Sequence, residues 1–234
     1  MKTALLSLSL LFSIASFRAQ TYTNDAQLRV SLGLEKRITK KLSISFNQQD
    51  RFYKNMGEFS RSAFDFGINF KVNKWLKLKA DYVLITKRNK QGIFTERNWY
   101  YLAAVFKYEK NKFKFFYRNM AQVRMGATNS DKSSVMRIYD RNKITLRHET
   151  TRRWAFWLAT EVYVPLNNSQ IRGIDRTRYF VGTTLRTSKF QSLDLYFMLQ
   201  TQVQRGAWFD QNSAFQNEPL NRYFIYGINY NIEF

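Results

Sequence analysis

At 234 residues the chain is long enough for one closed domain and too short to demand two. Its 38 Lys and Arg against 17 Asp and Glu give a net charge of +21, and 21 Phe and 14 Tyr are interleaved with those cations, a composition foreign to most soluble enzymes. The lack of cysteine excludes disulfides and thiolate metal sites.

The chain opens with MKTALLSLSLLFSIASFRAQ: Lys2, an apolar run from Ala4 to Phe17, then Ala19 before Gln20. Such a run falls short of the roughly 20 residues a helix needs to cross a bilayer, so residues 1–19 are expected to be a secretory signal peptide cleaved after Ala19. Residues 20–234 then form the mature domain. Cleavage removes Lys2 and Arg18, leaving 36 cations against 17 acids, a charge of +19. In a soluble protein this charge would suggest nucleic acid. An exported chain with no helix-turn-helix, zinc or RNP pattern points away from nucleic acid and toward lipopolysaccharide phosphates or anionic solutes.

After Gln20 no apolar stretch approaches 18 residues and no 3.6-residue period is sustained, which argues against helical spans. Alternation with period two takes their place. FDFGINFKV sets Phe64, Phe66, Ile68, Phe70 and Val72 on one face, and SLDLYFMLQTQV does the same with Leu193, Leu195, Phe197, Leu199, Thr201 and Val203. About eleven such segments are predicted, near residues 25–36, 41–53, 60–72, 76–87, 96–108, 112–124, 136–147, 153–164, 176–187, 191–204 and 221–234. They are longer than ordinary soluble strands and long enough to cross a bilayer with tilt. Short turns at RITK, NKW, EKN, HETTR and SKFQ alternate with longer links such as KNMGEF, MGATNSDKSSV and the stretch from Arg205 to Leu220. The expectation is an all-β, antiparallel up-and-down barrel of about 10 to 12 strands in a Gram-negative outer membrane, short turns periplasmic. Even strand counts being the rule, ten or twelve strands are expected to close, although the alternation makes the first segment run from outside inward and gives an odd count.

With the apolar face outward, the inward face of the seventh segment carries Arg137, Arg141, Lys143 and Arg147, and the ninth adds Arg176, Arg178 and Arg186. The inward acids are Asp65, Asp81, Glu161 and Asp194. Pairing of these charges inside a narrow lumen is one expectation, since an unpaired buried ion is costly; an anion-preferring lumen is the other. Asp140 and Asn142 fall on the apolar face, implying a bulge, an interfacial depth or a partner protein there. The lone His148, placed in a short turn, is a poor base for acyl hydrolysis, and no metal, cofactor or catalytic constellation is expected. Trp208, Phe209 and Phe215 in the longest link are expected to fold back over the lumen. In the terminal YGINYNIEF, the residues Gly227, Tyr230, Ile232 and Phe234 resemble the signal by which barrel-assembly machinery engages a last strand.

The stretches LEKRITKKLSISFNQQDRF, FDFGINFKVNKWLKLKADYVL, FKFFYRNMAQV and RNKITLRHE resemble a family of uncharacterised outer-membrane proteins of Bacteroidota, the domain of unknown function 2490. The resemblance implies an outer-membrane barrel and supplies no catalytic residues. The function expected is therefore a non-enzymatic, structural or accessory outer-membrane barrel, surrounded by outer-membrane lipid and lipopolysaccharide, with a basic, partly plugged lumen. A small anion-preferring channel is the alternative and a lipid-modifying enzyme the third reading.

Overall fold

Alternation of aromatic or branched side chains with polar ones favours extended backbone, because each face then finds its own solvent. The computed structural model describes residues 24–88, 92–126, 136–167, 173–203 and 220–234. The signal-peptide expectation and that for Trp208, Phe209 and Phe215 lie outside them. Eleven strands are present among the described residues: β1 Asn24–Arg37, β2 Leu42–Tyr53, β3 Glu58–Lys71, β4 Leu76–Arg88, β5 Phe94–Lys110, β6 Phe113–Arg124, β7 Arg137–Glu149, β8 Trp154–Pro165, β9 Arg176–Arg186, β10 Gln191–Val203 and β11 Leu220–Glu233. Each follows its predicted segment within a few residues.

All eleven strands close into one barrel, each pairing antiparallel with its sequence neighbours. The even count expected from sequence is corrected by the seam. β1 and β11 both run toward the short-turn end, so they meet as a parallel pair, in register from Asn24 opposite Arg222 to Glu35 opposite Glu233. A parallel ladder satisfies the backbone nearly as well as an antiparallel one, so an odd number of strands can close without an orphan edge. Phe234 extends the seam: its N–H donates to Glu35 O and its carbonyl accepts from Arg37 N–H, both at 2.9 Å.

At the short-turn end, four of the five connections are four residues long. In each, the second residue of the turn caps the backbone. Thr39 Oγ1 accepts from Lys41 and Leu42 N–H, Asn73 Oδ1 from Trp75 and Leu76 N–H, Thr151 Oγ1 from Arg153 and Trp154 N–H, and Ser188 Oγ from Phe190 N–H. Short polar side chains of this kind stabilise turns by supplying an acceptor in place of a strand partner. The fifth connection has only Asn111 and Lys112, with Asn111 at φ 54°, a left-handed conformation that asparagine tolerates. At the opposite end one link expected to be long is itself a four-residue turn, 54–57, whose Asn55 N–H donates to Asp25 Oδ1 near the start of β1.

Outward positions form a continuous apolar girdle. It includes Val30, Ile44, Phe66, Ile68, Leu102, Phe115, Ile144, Leu158, Val181, Leu195 and Ile228, each exposed. Aromatic pairs tie neighbouring strands on this surface, among them Phe46 with Phe66 at 5.2 Å and Phe197 with Tyr226 at 5.5 Å between ring centres. Six successive outward residues on a strand with the usual barrel tilt span about 25 Å.

Candidate functional site in the barrel lumen

Inward side chains divide the lumen into two levels. The level toward the long links is filled. Ile85, Met198 and Ile225 are almost completely buried there, and Val83 and Ala63 pack with Ile85 against Trp99 and Tyr101. Trp157, Phe180 and Tyr196 form a second inward aromatic cluster, with ring centres 6.0 to 6.4 Å apart. Two glycines make room for it. A Cβ on Gly227 would run into the Tyr196 ring, and one on Gly182 into Trp157.

The charged hub of this level is Glu161 on β8, whose side chain is 2% exposed. Its Oε1 accepts from Arg118 at 2.6 Å and Arg141 at 2.8 Å, and its Oε2 from Arg178 at 3.1 Å and Tyr163 hydroxyl at 3.3 Å. Arg178 also donates to Tyr163 hydroxyl and, through Nε, to Gln200 Oε1 at 2.8 Å. Arg141 lies over the Tyr163 ring at 4.4 Å, and its other arm reaches Gln122 Oε1 at 3.4 Å, which Arg124 also meets at 2.9 Å. Gln122 in turn donates to Tyr101 hydroxyl at 3.0 Å. The network thus runs from β5 to β10. Three guanidinium groups around one carboxylate leave the layer positive, and the planar forks stack on Tyr and Trp faces that favour cations.

The level toward the short turns is open. A cavity of about 570 Å³ is lined by Ser45, Asn47, Asp65, Asp81, Lys107, Lys114, Arg147, Glu149, Arg186 and Asp194, with others. It shares Glu35, Ser45, Lys79, Lys107, Phe116 and Glu233 with a hollow of about 610 Å³ that reaches the turn residues Thr39, Asn73 and Trp75. Here charge is matched. Glu149 meets Arg186 at 2.6 Å, Arg147 at 2.9 Å and Lys114 at 3.3 Å, and Lys79 sits 3.6 Å from Asp81.

The lumen residues read from sequence are inward, but they belong to two sites. Arg141 and Arg178 converge on Glu161, while Lys143, directly opposite Glu161 in register, places its Nζ over the Phe180 ring at 4.3 Å. Arg147 and Arg186 join Glu149 at the other level. Arg176 lies 3.8 Å from Asp175 and stacks over Tyr163 at 5.1 Å. Arg137, at the start of β7, is exposed. Asp194 accepts from Thr184 hydroxyl at 2.5 Å and Asn231 amide at 3.1 Å, without an arginine. Asp65 lines the lower cavity and makes no ion pair among the described residues. Sequence reasoning missed Arg29, Arg51, Arg61, Arg118, Arg124 and Glu149. Each lies on the polar face of its own alternation, a signal visible only if every strand is followed to both ends.

Asp140 and Asn142 do face outward, and β7 pairs with both neighbours in unbroken register, so no bulge turns them away. Asn119 instead bridges them, donating to Asp140 Oδ1 at 2.8 Å and Asn142 Oδ1 at 3.0 Å. Asn142 donates to Asp140 Oδ2 at 2.7 Å and accepts from Tyr117 hydroxyl at 2.6 Å. His148 belongs to β7 rather than a turn. It packs 4.7 Å from the Phe113 ring, with Nδ1 3.3 Å from Thr150 hydroxyl, on the outward face.

A family model described as "Protein of unknown function (DUF2490)" matches residues 26–211. Comparison with curated proteins finds no match.

Proposed function

The chain belongs to the DUF2490 family of proteins of unknown function, and we propose that it is a non-enzymatic integral outer-membrane β-barrel of structural or accessory role, its basic lumen closed by side chains. The observation carrying this reading is the pairing of an apolar girdle outside with a filled, hydrogen-bonded charge layer inside. A soluble barrel would reverse that polarity, hiding its aromatics and exposing its arginines. The girdle height suits a bilayer, the seam leaves no strand edge unpaired, and the polar turns suit the aqueous boundary. Its surroundings are then outer-membrane lipid and lipopolysaccharide, with barrel-assembly machinery acting on β11 during insertion. His148 has no catalytic part in this reading: its outward ring meets Phe113 and the Thr150 hydroxyl, and among the described residues no carboxylate orients it as a base.

Electrophoresis with and without boiling tests the proposal. The unboiled protein in detergent is expected to migrate faster than the boiled one and to stay with membranes after high-salt washing. Identical migration together with extraction into plain buffer would reject it. A second reading, a small anion-preferring channel, draws on the surplus of lumen cations over acids and on the open lower cavity.

A further inference from the structure

Among the inward cations, one set adjoins the Glu161 network without joining an ion pair in it. Arg29 on β1, Arg51 on β2, Arg61 on β3 and Lys87 on β4 are direct cross-strand partners, each opposite the next. Four like charges lie side by side across four consecutive strands, an arrangement that destabilises a sheet unless something neutralises it. The charge of Glu161 reaches Arg29, but it is outweighed by burial and by the like charge of Arg178. None of the four joins an ion pair among the described residues, whereas Arg118, Arg141 and Arg178 share Glu161. Arg29 is 5% exposed, and Nε of both Arg29 and Arg61 is buried without a hydrogen-bond partner. Arg51 is held by Gln49, whose Oε1 accepts from its Nε at 2.7 Å, which fixes the fork without cancelling its charge.

We propose that Arg29, Arg51 and Arg61 form a binding site for a soluble phosphate-class oxyanion on the β1–β3 wall of the long-link half of the lumen, where Arg51 and Arg61 are only half-buried. The inference rests on the basic-lumen reading above and gives it a ligand. Guanidinium forks suit tetrahedral oxyanions because two parallel N–H donors match two oxygens, and an orphan buried Nε–H supplies a further donor. A multiply charged anion fits three adjacent cations better than chloride, since it neutralises more than one of them at once. The row nears the long-link end of β2, β3 and β4, with Arg51 two residues from the end of its strand, and none of its residues lines the lower cavity.

Calorimetric titration of the full barrel in detergent with inorganic phosphate, at constant chloride, tests the site. Saturable binding is expected, weakened at least tenfold in Arg51→Gln and in Arg61→Gln and changed less than twofold in Arg147→Gln, which lies in the lower cavity. In phosphate-free buffer Arg51→Gln is expected to unfold at or above the wild-type temperature, because it relieves like-charge contact. Phosphate is expected to raise the melting temperature of the wild type and not of the variant. No saturable binding by wild type, full affinity in both row variants, or a lower melting temperature for Arg51→Gln would each overturn the site. Displacement by glycerol 3-phosphate supports a soluble ligand; displacement by phosphatidic acid micelles alone overturns that source. Boiling-dependent migration of the same samples keeps the two proposals apart, since a heat-modifiable barrel that ignores phosphate rejects only this one.

Discussion

Glu161 shows how one residue can hold a lumen layer together. Its carboxylate is the acceptor for three arginines in a dry setting, so removing its charge strands several buried cations at once. Breaking a buried ion pair from one side typically costs about 3 to 5 kcal/mol, mostly through the partner left uncompensated. Glu161→Gln is therefore expected to lower stability by about that amount, read from the denaturant midpoint in detergent. Arg178→Gln is expected to cost less, because Glu161 keeps Arg118 and Arg141. Equal losses in the two variants would show that the hub has been assigned to the wrong residue. The outward cluster of Tyr117, Asn119, Asp140 and Asn142 follows the same rule of satisfaction on the other face: each polar group finds a neighbour within its own pair of strands.

At the level of strands, small residues decide what the lumen can contain. Gly227 on β11 faces Tyr196 on β10 in direct register, and the ring occupies the space a side chain would need. Gly227→Ala is expected to destabilise the barrel by about 1 to 3 kcal/mol through overpacking. Tyr196→Ala in the same molecule is expected to return part of that loss, because it empties the contested space, and a double-mutant cycle measures the coupling. An additive cycle would separate the glycine from the ring. The terminal strand thus has two tasks within the fold: its outward Tyr226 and Ile228 extend the apolar girdle, and its inward glycine admits an aromatic from the neighbouring strand.

For the whole molecule, seated in an outer membrane as proposed, permeability depends on the division of the lumen. The filled level runs hydrogen bonds from Tyr101 on β5 to Gln200 on β10, and the adjoining β4 contributes buried Val83 and Ile85. In planar bilayers the wild type is accordingly expected to give no steady conductance. Steady anion-selective openings, reduced in Arg141→Ala or Arg178→Ala, would favour the channel reading over the closed one. The lower cavity alone does not make a pore, because it reaches the turns at one end and meets the filled layer at the other.

Period-two alternation by itself determined the strands and their faces: "FDFGINFKV" can hide its aromatics only one way, so Phe66 and Ile68 had to share a surface and Asp65 the other. The same parity placed Arg141, Glu161 and Arg178 inside, and the division into short and longer links oriented the hairpins. Closure was beyond its reach. Whether β1 meets β11, and in which direction, depends on contacts between residues some 200 positions apart, which leave no local period in either strand. Partner choice inside the lumen was equally hidden. Parity says that Arg147 and Arg178 point inward, but their height along the barrel sends one to Glu149 and the other to Glu161. Only the three-dimensional register set Arg29, Arg51, Arg61 and Lys87 in one row, because neighbours across a sheet are fixed by strand stagger and not by distance along the chain.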